Sequence, residues 1–296
     1  MLAAMWIVVA SALAARRGQA TVIGLVALLA SAALAVVPGY VAVAEEEMEE
    51  AAVAAAPVAG RVITVSWRLG NADTGDPDPI PAVRGSFAPP GFATVSGGFA
   101  TGETDPAGWG AEHPVVLAHR EGVCEALLIV GECPAAAGEV LLPAGPAASA
   151  GLAAGDEITL AQSRTERQTL RVVGTYEVSD AADLYWGDGT LIGPAADPDQ
   201  LAFFTVAETL VNHARVTYTY ELVATPEVFS GAAAGQVWSD LTAQLADVQR
   251  QGFTVETGQL PQLVERIERD RGNLVAGVGV VVAILLLFTW FTLAVA

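Results

Sequence analysis

The stretch that decides the fold is Ala20–Ala44, ATVIGLVALLASAALAVVPGYVAVA, twenty-five residues without a charge. The basic pair Arg16 and Arg17 precedes it, and three glutamates follow it from residue 45. At about 1.5 Å of rise per residue, a helix of this length crosses a hydrocarbon core of about 30 Å. Because a backbone in lipid must satisfy its own hydrogen bonds, residues 20–44 predict a transmembrane helix.

A second uncharged stretch ends the sequence, Leu274–Ala296, LVAGVGVVVAILLLFTWFTLAVA, and predicts a second transmembrane helix over residues 273–296. Basic residues beside a span favour the cytoplasmic side of the plasma membrane. We therefore expect both termini in the cytoplasm and residues 45–270 outside the cell. The first fifteen residues are apolar but too short to span, which favours a cytoplasmic interfacial helix over residues 1–19.

The sequence between the spans predicts an extracellular α+β domain over residues 61–230, carried on helical stalks over 45–60 and 231–272. Strands are indicated where apolar residues alternate with polar ones, as Ile63, Val65 and Trp67 do. The stretch from Gly70 to Pro114 is dense in Gly, Pro and Asp, which is typical of a loop. Its acidic group is predicted to be solvated rather than to bind calcium, since it lacks the spacing of a calcium loop: Asp73, Asp76 and Asp78.

Apolar residues recur at helical spacing as the chain approaches the second span. Such a row would carry movement of the membrane helix to the exterior domain, so we expect its members to couple the two: Leu260, Leu263, Val264 and Ile267.

The charged residues of the chain argue against nucleic acid binding and against one class of ATPase. All thirty-three acidic residues but only eleven of the fourteen basic ones lie between Glu45 and Asp270. Nucleic acid binding needs a positive surface, so it is excluded. The sequence has no lysine, and a Walker A phosphate loop requires one, so the chain itself is not an ATPase of that kind.

Two cysteines, Cys124 and Cys133, lie in the segment predicted to be extracellular, where disulfides persist. Gly131 and Pro134 provide turn residues that let a short loop close, so the two are predicted to be bonded. A redox or metal-binding pair is the alternative, but the spacing is not CxxC and no histidine lies beside them.

Catalytic, cofactor and metal sites are not predicted anywhere in the chain. The histidines are scattered, without an HExxH motif or a Cys/His cluster: His113, His119 and His213. Ser96-Gly97-Gly98 lacks the pattern of a nucleophile elbow. Acidic pairs such as Asp156-Glu157 fit turns better than acid-base chemistry, and core packing accounts for the aromatic residues, among them Tyr185 and Trp186.

Several motifs in order resemble the FtsX-like permeases, the group that includes the MacB-type exporters. They are Arg16-Arg17-Gly18-Gln19 at the first span, Gly138-Glu139-Val140, Gly151-Leu152, Gly155-Asp156, Val172-Val173-Gly174 and Tyr185-Trp186. The resemblance implies a permease subunit of an ABC transport system. A separate ATPase subunit would hydrolyse ATP in the cytoplasm, and the exterior domain would handle a substrate.

Two other functions fit the same sequence. The chain could be a scaffold that transmits movement to an extracellular partner such as a cell-wall hydrolase, or a membrane-anchored enzyme. The enzyme would need a cleft with perturbed titratable groups, which the sequence does not indicate. The second span ends at Ala296 without a basic residue after it. We therefore expect a fragment or half of a permease, completed by further spans or a second copy.

Overall fold

The computed structural model describes residues 17–68, 79–104, 109, 113–161, 167–193, 196–197, 199–211, 213, 215–230 and 232–295. The chain divides into two compact units. One unit is the mixed α/β domain, Glu50–Val264. The other contains the remaining described residues, up to Glu49 and from Glu265 onward.

Helices and strands alternate along the domain. The helices are α1 (Arg17–Ala55), α2 (Ile80–Ser86), α3 (Val123–Ala126), α4 (Ala144–Ala150), α5 (Ala207–Leu210), α6 (Ala234–Arg250) and α7 (Leu260–Val295). The strands are β1 (Val62–Arg68), β2 (Phe92–Thr104), β3 (Pro114–Arg120), β4 (Leu127–Gly131), β5 (Glu139–Pro143), β6 (Glu157–Ala161), β7 (Arg167–Val178), β8 (Leu201–Phe204), β9 (Thr217–Ala224) and β10 (Thr254–Glu256). Short 3-10 helices cover Val58–Arg61, Leu184–Trp186 and Pro226–Phe229.

The strands form one sheet in the order β10-β1-β9-β2-β3-β8-β5-β7-β4, and β6 pairs with both β2 and β7. Because β6 joins β2 to β7, the pairings of β2, β3, β8, β5, β7 and β6 form a closed ring. The pairs β3–β8 and β5–β7 are parallel, and the other pairs are antiparallel. Closure leaves few free edges, which limits unwanted pairing with other chains.

Apolar residues are buried on both faces of the ring strands. Leu117 of β3 and Phe203 of β8 point to one face and are at most 1% exposed. On the other face, Ala118 and Phe204 belong to a cluster that also contains Trp186. The sheet is therefore covered on both sides, as a strand rich in consecutive apolar residues requires.

Several predicted elements are confirmed. β1 pairs with β9 in a continuous antiparallel register from Val62 opposite Val223 to Arg68 opposite Thr217. In β9, burial alternates only at the start, where Tyr218 and Tyr220 are buried between partly exposed threonines, and every residue from Tyr220 onward is buried. The helix α6 ends at Arg250 and is separated from α7 by β10, so the helical segment predicted over residues 231–272 consists of two helices and a short strand.

The prediction of a loop from Gly70 to Pro114 is wrong for most of the residues that the structure describes there. β2 occupies Phe92–Thr104 and lies in the middle of the sheet, between β9 and β3. Two consecutive glycines, Gly97 and Gly98, interrupt its pattern of large apolar residues. The sheet on both sides of β2, rather than local propensity, determines its conformation. The predicted solvated acidic group at Asp73 to Asp78 lies outside the described residues.

The long helix α1 contains the first predicted span and part of the first predicted stalk. It runs through Pro38 and ends at Ala55, two residues before Pro57. Arg61 donates a hydrogen bond from Nη1 to the carbonyl oxygen of Val53, 3.0 Å away, which satisfies one of the last carbonyls of the helix. Crossing of the membrane by residues 20–44 stays a prediction, as does the predicted interfacial helix, since residues 1–16 are not described.

One helix in the described part of the chain, within α7 from Leu260 to Phe291, is long and apolar enough to cross a membrane. Its large apolar side chains are exposed in the second half, for example Leu287 at 66%, Phe288 at 68% and Trp290 at 70%. Exposure of so many adjacent apolar side chains is costly in water and ordinary in lipid. The second predicted span lies in this helix.

Candidate functional site

Gly97 and Gly98 of β2 lie beside two cavities, one on each face of the sheet. A Cβ added at Gly97 would lie 2.7 Å from the carbonyl oxygen of His119, and one at Gly98 would lie 3.0 Å from the ring of Tyr218. Neither position therefore accepts a larger side chain without movement of its neighbours. We call the two spaces the polar cavity and the Ser96 cavity.

The polar cavity, of about 200 Å³, lies on the face formed by odd-numbered residues of β2 and β9. Hydroxyl groups cover much of its floor: Thr64, Ser66, Thr217 and Thr219. The loop that contains Asp188 and Thr190 forms a wall. In that loop Oδ1 of Asp188 accepts hydrogen bonds from the backbone N–H and the hydroxyl of Thr190, at 2.9 and 2.7 Å.

A buried ion pair between Arg120 and Glu221 lies at the bottom of the polar cavity. Nη1 of Arg120 donates to Oε1 of Glu221 at 3.1 Å, and Nη2 donates to Oε2 at 2.9 Å. Burial raises the pKa of Glu221, although the hydrogen bonds from Arg120 oppose this effect. Burial lowers the pKa of Arg120, but the hydrogen bonds and charge of Glu221 outweigh it and raise that pKa. The guanidinium therefore stays charged, and the bidentate geometry compensates for removal of both groups from water.

The same arginine holds the loop after β7 on the sheet. Nε and Nη2 of Arg120 both donate to the carbonyl oxygen of Tyr185, and the Tyr185 ring lies over the guanidinium at 5.0 Å. Gly187 follows with φ +59°, and a Cβ there would lie 1.7 Å from Oε2 of Glu221. The short sequence Tyr185-Trp186-Gly187 therefore packs against both members of the ion pair.

The Ser96 cavity, of about 630 Å³, lies on the opposite face of the sheet. Residues of α2, α5, β2, β3 and β9 line it: Ile80, Pro81, Arg84, Gly85, Ser96, Gly97, Gly98, His119, Glu121, Ala207, Leu210 and Tyr218. Arg84 on α2 and Glu121 after β3 form an ion pair at 2.6 Å, and both side chains are about half exposed, at 49% and 53%. This pair marks the open side of the cavity.

Two sets of contacts fix the walls of the Ser96 cavity. The helix α2 buries Ile80, Val83 and the following Phe87, and the hydroxyl of Tyr220 donates to the carbonyl oxygen of Phe87 at 3.1 Å.

The helix α5 is tied to the start of β5. The hydroxyl of Thr205 lies 2.6 Å from the hydroxyl of Thr209 and donates to the carbonyl oxygen of Glu139 at 2.6 Å. Gly138 N–H donates to the Thr209 hydroxyl at 3.1 Å. Leu210, which lines the cavity, is completely buried as a result.

The predicted pair Cys124 and Cys133 is bonded in the structure, with 6.1 Å between the Cα atoms. Cys124 lies in α3, and Cys133 follows β4. The bridge therefore joins the two ends of a short segment. Neither cysteine lines either cavity.

The predicted coupling row at the start of α7 is buried: Leu260, Leu263, Val264 and Ile267 are at most 5% exposed. The residues that recur at helical spacing therefore form a buried face of this segment. Its role in coupling stays a prediction.

Two of the acidic residues that the sequence assigned to turns accept backbone hydrogen bonds within those turns. Asp156 accepts a hydrogen bond from Ala153 N–H at 2.8 Å, and Asp183 accepts one from Tyr185 N–H at 2.8 Å. Within the described residues, no group of three or more His, Cys, Asp or Glu residues is arranged to hold a metal ion.

Sequence reasoning missed the residues that build the two cavities. Arg120 and Glu221 are 101 positions apart, and no local pattern connects them. Ser96 and His119 were considered separately, yet the antiparallel pairing of β2 with β3 brings them to one cavity. The signal that could have found them is the glycine pair itself, since adjacent glycines in a strand often mark a close approach or an open site.

Comparison with known proteins gives limited information. No protein-family model matches the chain, and no curated protein matches it. Among solved structures, the domain is similar to a domain of a Porphyromonas gingivalis protein provisionally named a permease. The TM-score is 0.35 at 12% identity, and the match covers 68% of this chain and 92% of that one. The likeness is weak and concerns the fold alone.

Proposed function

We propose that this chain is a permease subunit of an ABC transport system of the FtsX/MacB type. The observation that carries the proposal is the order of elements along the chain, in which the mixed α/β domain follows the long helix α1 and precedes the long helix α7. One of them has the length and composition of a membrane span. The other contains the uncharged stretch Ala20–Ala44, and the ordered motifs from Arg16 to Trp186 resemble that family.

In this proposal the ATPase is a separate cytoplasmic subunit, the domain lies outside the cell, and the chain has no catalytic role of its own. An ion pair between Glu45 of α1 and Arg271 of α7, at 3.2 Å, supports joint movement of the two helices. It lies just beyond the two uncharged stretches, where the helices would leave the membrane.

The test is reconstitution. The full chain in lipid nanodiscs is combined with a purified candidate ABC ATPase, and ATP hydrolysis is measured with the wild-type ATPase and with a variant of its Walker A lysine. Each nanodisc carries two copies of the chain, because a second copy is one of the ways in which the expected half permease would be completed. We expect a stable complex in which the paired chains change the hydrolysis rate several-fold. Absence of both complex formation and any rate change with every ATPase from the same genome would refute the proposal.

A further inference from the structure

The Ser96 cavity has the size and lining of a ligand site. Its volume of about 630 Å³ lies in the usual range for small-molecule sites, about 300 to 1,000 Å³. Its walls are mainly apolar, with Ile80, Pro81 and Leu210 on the two helices and the Tyr218 ring on the sheet. A small number of polar groups among apolar walls is the usual composition of such a site.

One polar atom in this cavity lacks a hydrogen bond. Oγ of Ser96 is buried, and within the described residues it has no partner. A buried hydroxyl left unpaired costs free energy, and such groups are rare in native proteins. A ligand with a complementary group would supply the missing hydrogen bond once the atoms that cover Oγ move aside on binding.

His119 adds a second polar group to the same wall. Its Nδ1 lies 3.4 Å from the carbonyl oxygen of Thr205. A carbonyl only accepts, so Nδ1 carries the proton in this contact, and Nε2 is left for a ligand group. The wall therefore offers a hydroxyl and an imidazole, which suit a ligand group that both donates and accepts.

The Ser96 cavity is lined by one positive and one negative side chain. Arg84 and Glu121 form an ion pair with each other, so neither is available as the single counterion of a charged ligand. We propose that the Ser96 cavity binds an uncharged, mainly apolar small molecule with one hydroxyl or amide group, which hydrogen-bonds to Ser96 and His119. The inference does not depend on the permease proposal, because it concerns binding and not transport.

The test measures binding to the full chain in phosphatidylcholine nanodiscs by equilibrium dialysis, with empty nanodiscs of equal lipid content as the blank. The probes are para-phenylphenol, biphenyl and biphenyl sulfonate. We expect para-phenylphenol to bind in excess of the blank and about fivefold more tightly than biphenyl, the difference that one net hydrogen bond makes. The sulfonate should bind more weakly than the phenol.

Three variants locate the site. Ser96→Ala should remove the preference for the phenol over biphenyl while leaving the melting temperature equal or higher, since it deletes an unpaired hydroxyl. Ser66→Ala is the matched control, because Ser66 lines the polar cavity on the other face of the sheet. Gly85→Phe should abolish binding by filling the space, since a Cβ at Gly85 meets no atom within 4 Å.

The proposal is overturned by any of three results: no binding above empty nanodiscs, a sulfonate that binds as tightly as the phenol, or an unchanged preference in Ser96→Ala. The Ser96→Ala result decides the matter even if Gly85→Phe fails to fold.

Discussion

At the scale of single residues, Arg120 and Glu221 form a buried ion pair in the mixed α/β domain. It joins β3 to β9 across the intervening β2 and also holds Tyr185 of the loop above it. Such a pair contributes little relative to an apolar replacement, but loss of one partner leaves a charge buried without compensation.

Replacement of Arg120 by Met should therefore lower the free energy of unfolding by about 3 to 5 kcal/mol. The double variant Arg120→Met/Glu221→Leu should be more stable than Arg120→Met alone. Denaturant unfolding followed by tryptophan fluorescence measures both. Arg84→Met, which removes a half-exposed ion pair, is the control and should cost at most about 1 kcal/mol. Equal losses in the Arg120 and Arg84 variants would contradict this account.

Glu139, the first residue of β5, gives a prediction of pH dependence. Its carboxylate accepts hydrogen bonds from the N–H groups of Ala135 and Ala136, at 2.9 and 3.1 Å, and from Arg171 at 2.5 Å. The backbone hydrogen bond from Ala135 is the largest cause, and these contacts together lower the pKa of Glu139 below 4.5. A lowered pKa in the folded state means that the stabilisation is present above pH 4.5 and is lost as the pH falls through the lowered value.

The variant Glu139→Gln should therefore melt at a lower temperature than the wild type at neutral pH, and the difference should shrink as the pH falls below 4.5. Melting curves across that range test this. Thr159→Ala, a change in the neighbouring β6 that removes no titratable group, should show no such convergence. A difference for Glu139→Gln that stays constant with pH would show that its charge is unimportant.

At the scale of elements, sequence reasoning succeeded where one strand or helix carries its own pattern. β1 alternates, and the start of α7 repeats at helical spacing, so buried residues such as Ile63 and Val65 follow directly from the sequence pattern. β2 could not be predicted in this way, because Gly97 and Gly98 provide no apolar side chain and the neighbouring strands determine the conformation. The cavities follow from β2, so they were beyond prediction for the same reason.

The disulfide belongs to this scale, because it supports a strand at the edge of the sheet. β4 pairs with β7 on one side and is the last strand in the sheet order. It also exposes Leu128 at 58% and Val130 at 75%. Edge strands of this kind have few contacts to keep them in place.

Replacement of Cys124 and Cys133 by serine should lower the free energy of unfolding by about 2.5 to 3 kcal/mol, the chain-entropy value for a loop of this length. Denaturant unfolding of the wild type with and without reductant provides the comparison. Reduced wild type and the double serine variant should coincide. If both matched the oxidised protein in stability, the disulfide would have no structural role.

At the scale of the whole molecule, α7 is one helix that contains both the buried row and the apolar span. The row Leu260, Leu263, Val264 and Ile267 is buried, whereas side chains beyond it such as Val280 and Ile284 are more than half exposed. The described helix has no break between these parts. A continuous helix transmits rotation and translation along its axis, whereas a flexible segment does not.

The coupling role of α7 can be tested with two insertions after Ile267, each of about seven residues, which is roughly two helical turns. A Gly-Ser insertion interrupts the helix, and an Ala-Glu insertion lengthens it while returning the following residues to nearly the same face. If α7 couples the span to the domain, the Gly-Ser chain should lose the change in ATP hydrolysis expected for the wild type, and the Ala-Glu chain should keep most of it. Both variants should keep the cooperative denaturant unfolding transition of the wild type, which reports on a folded domain. If both variants keep the wild-type change in ATP hydrolysis, α7 only tethers the domain. If both lose it, the length of α7 matters and its rigidity does not.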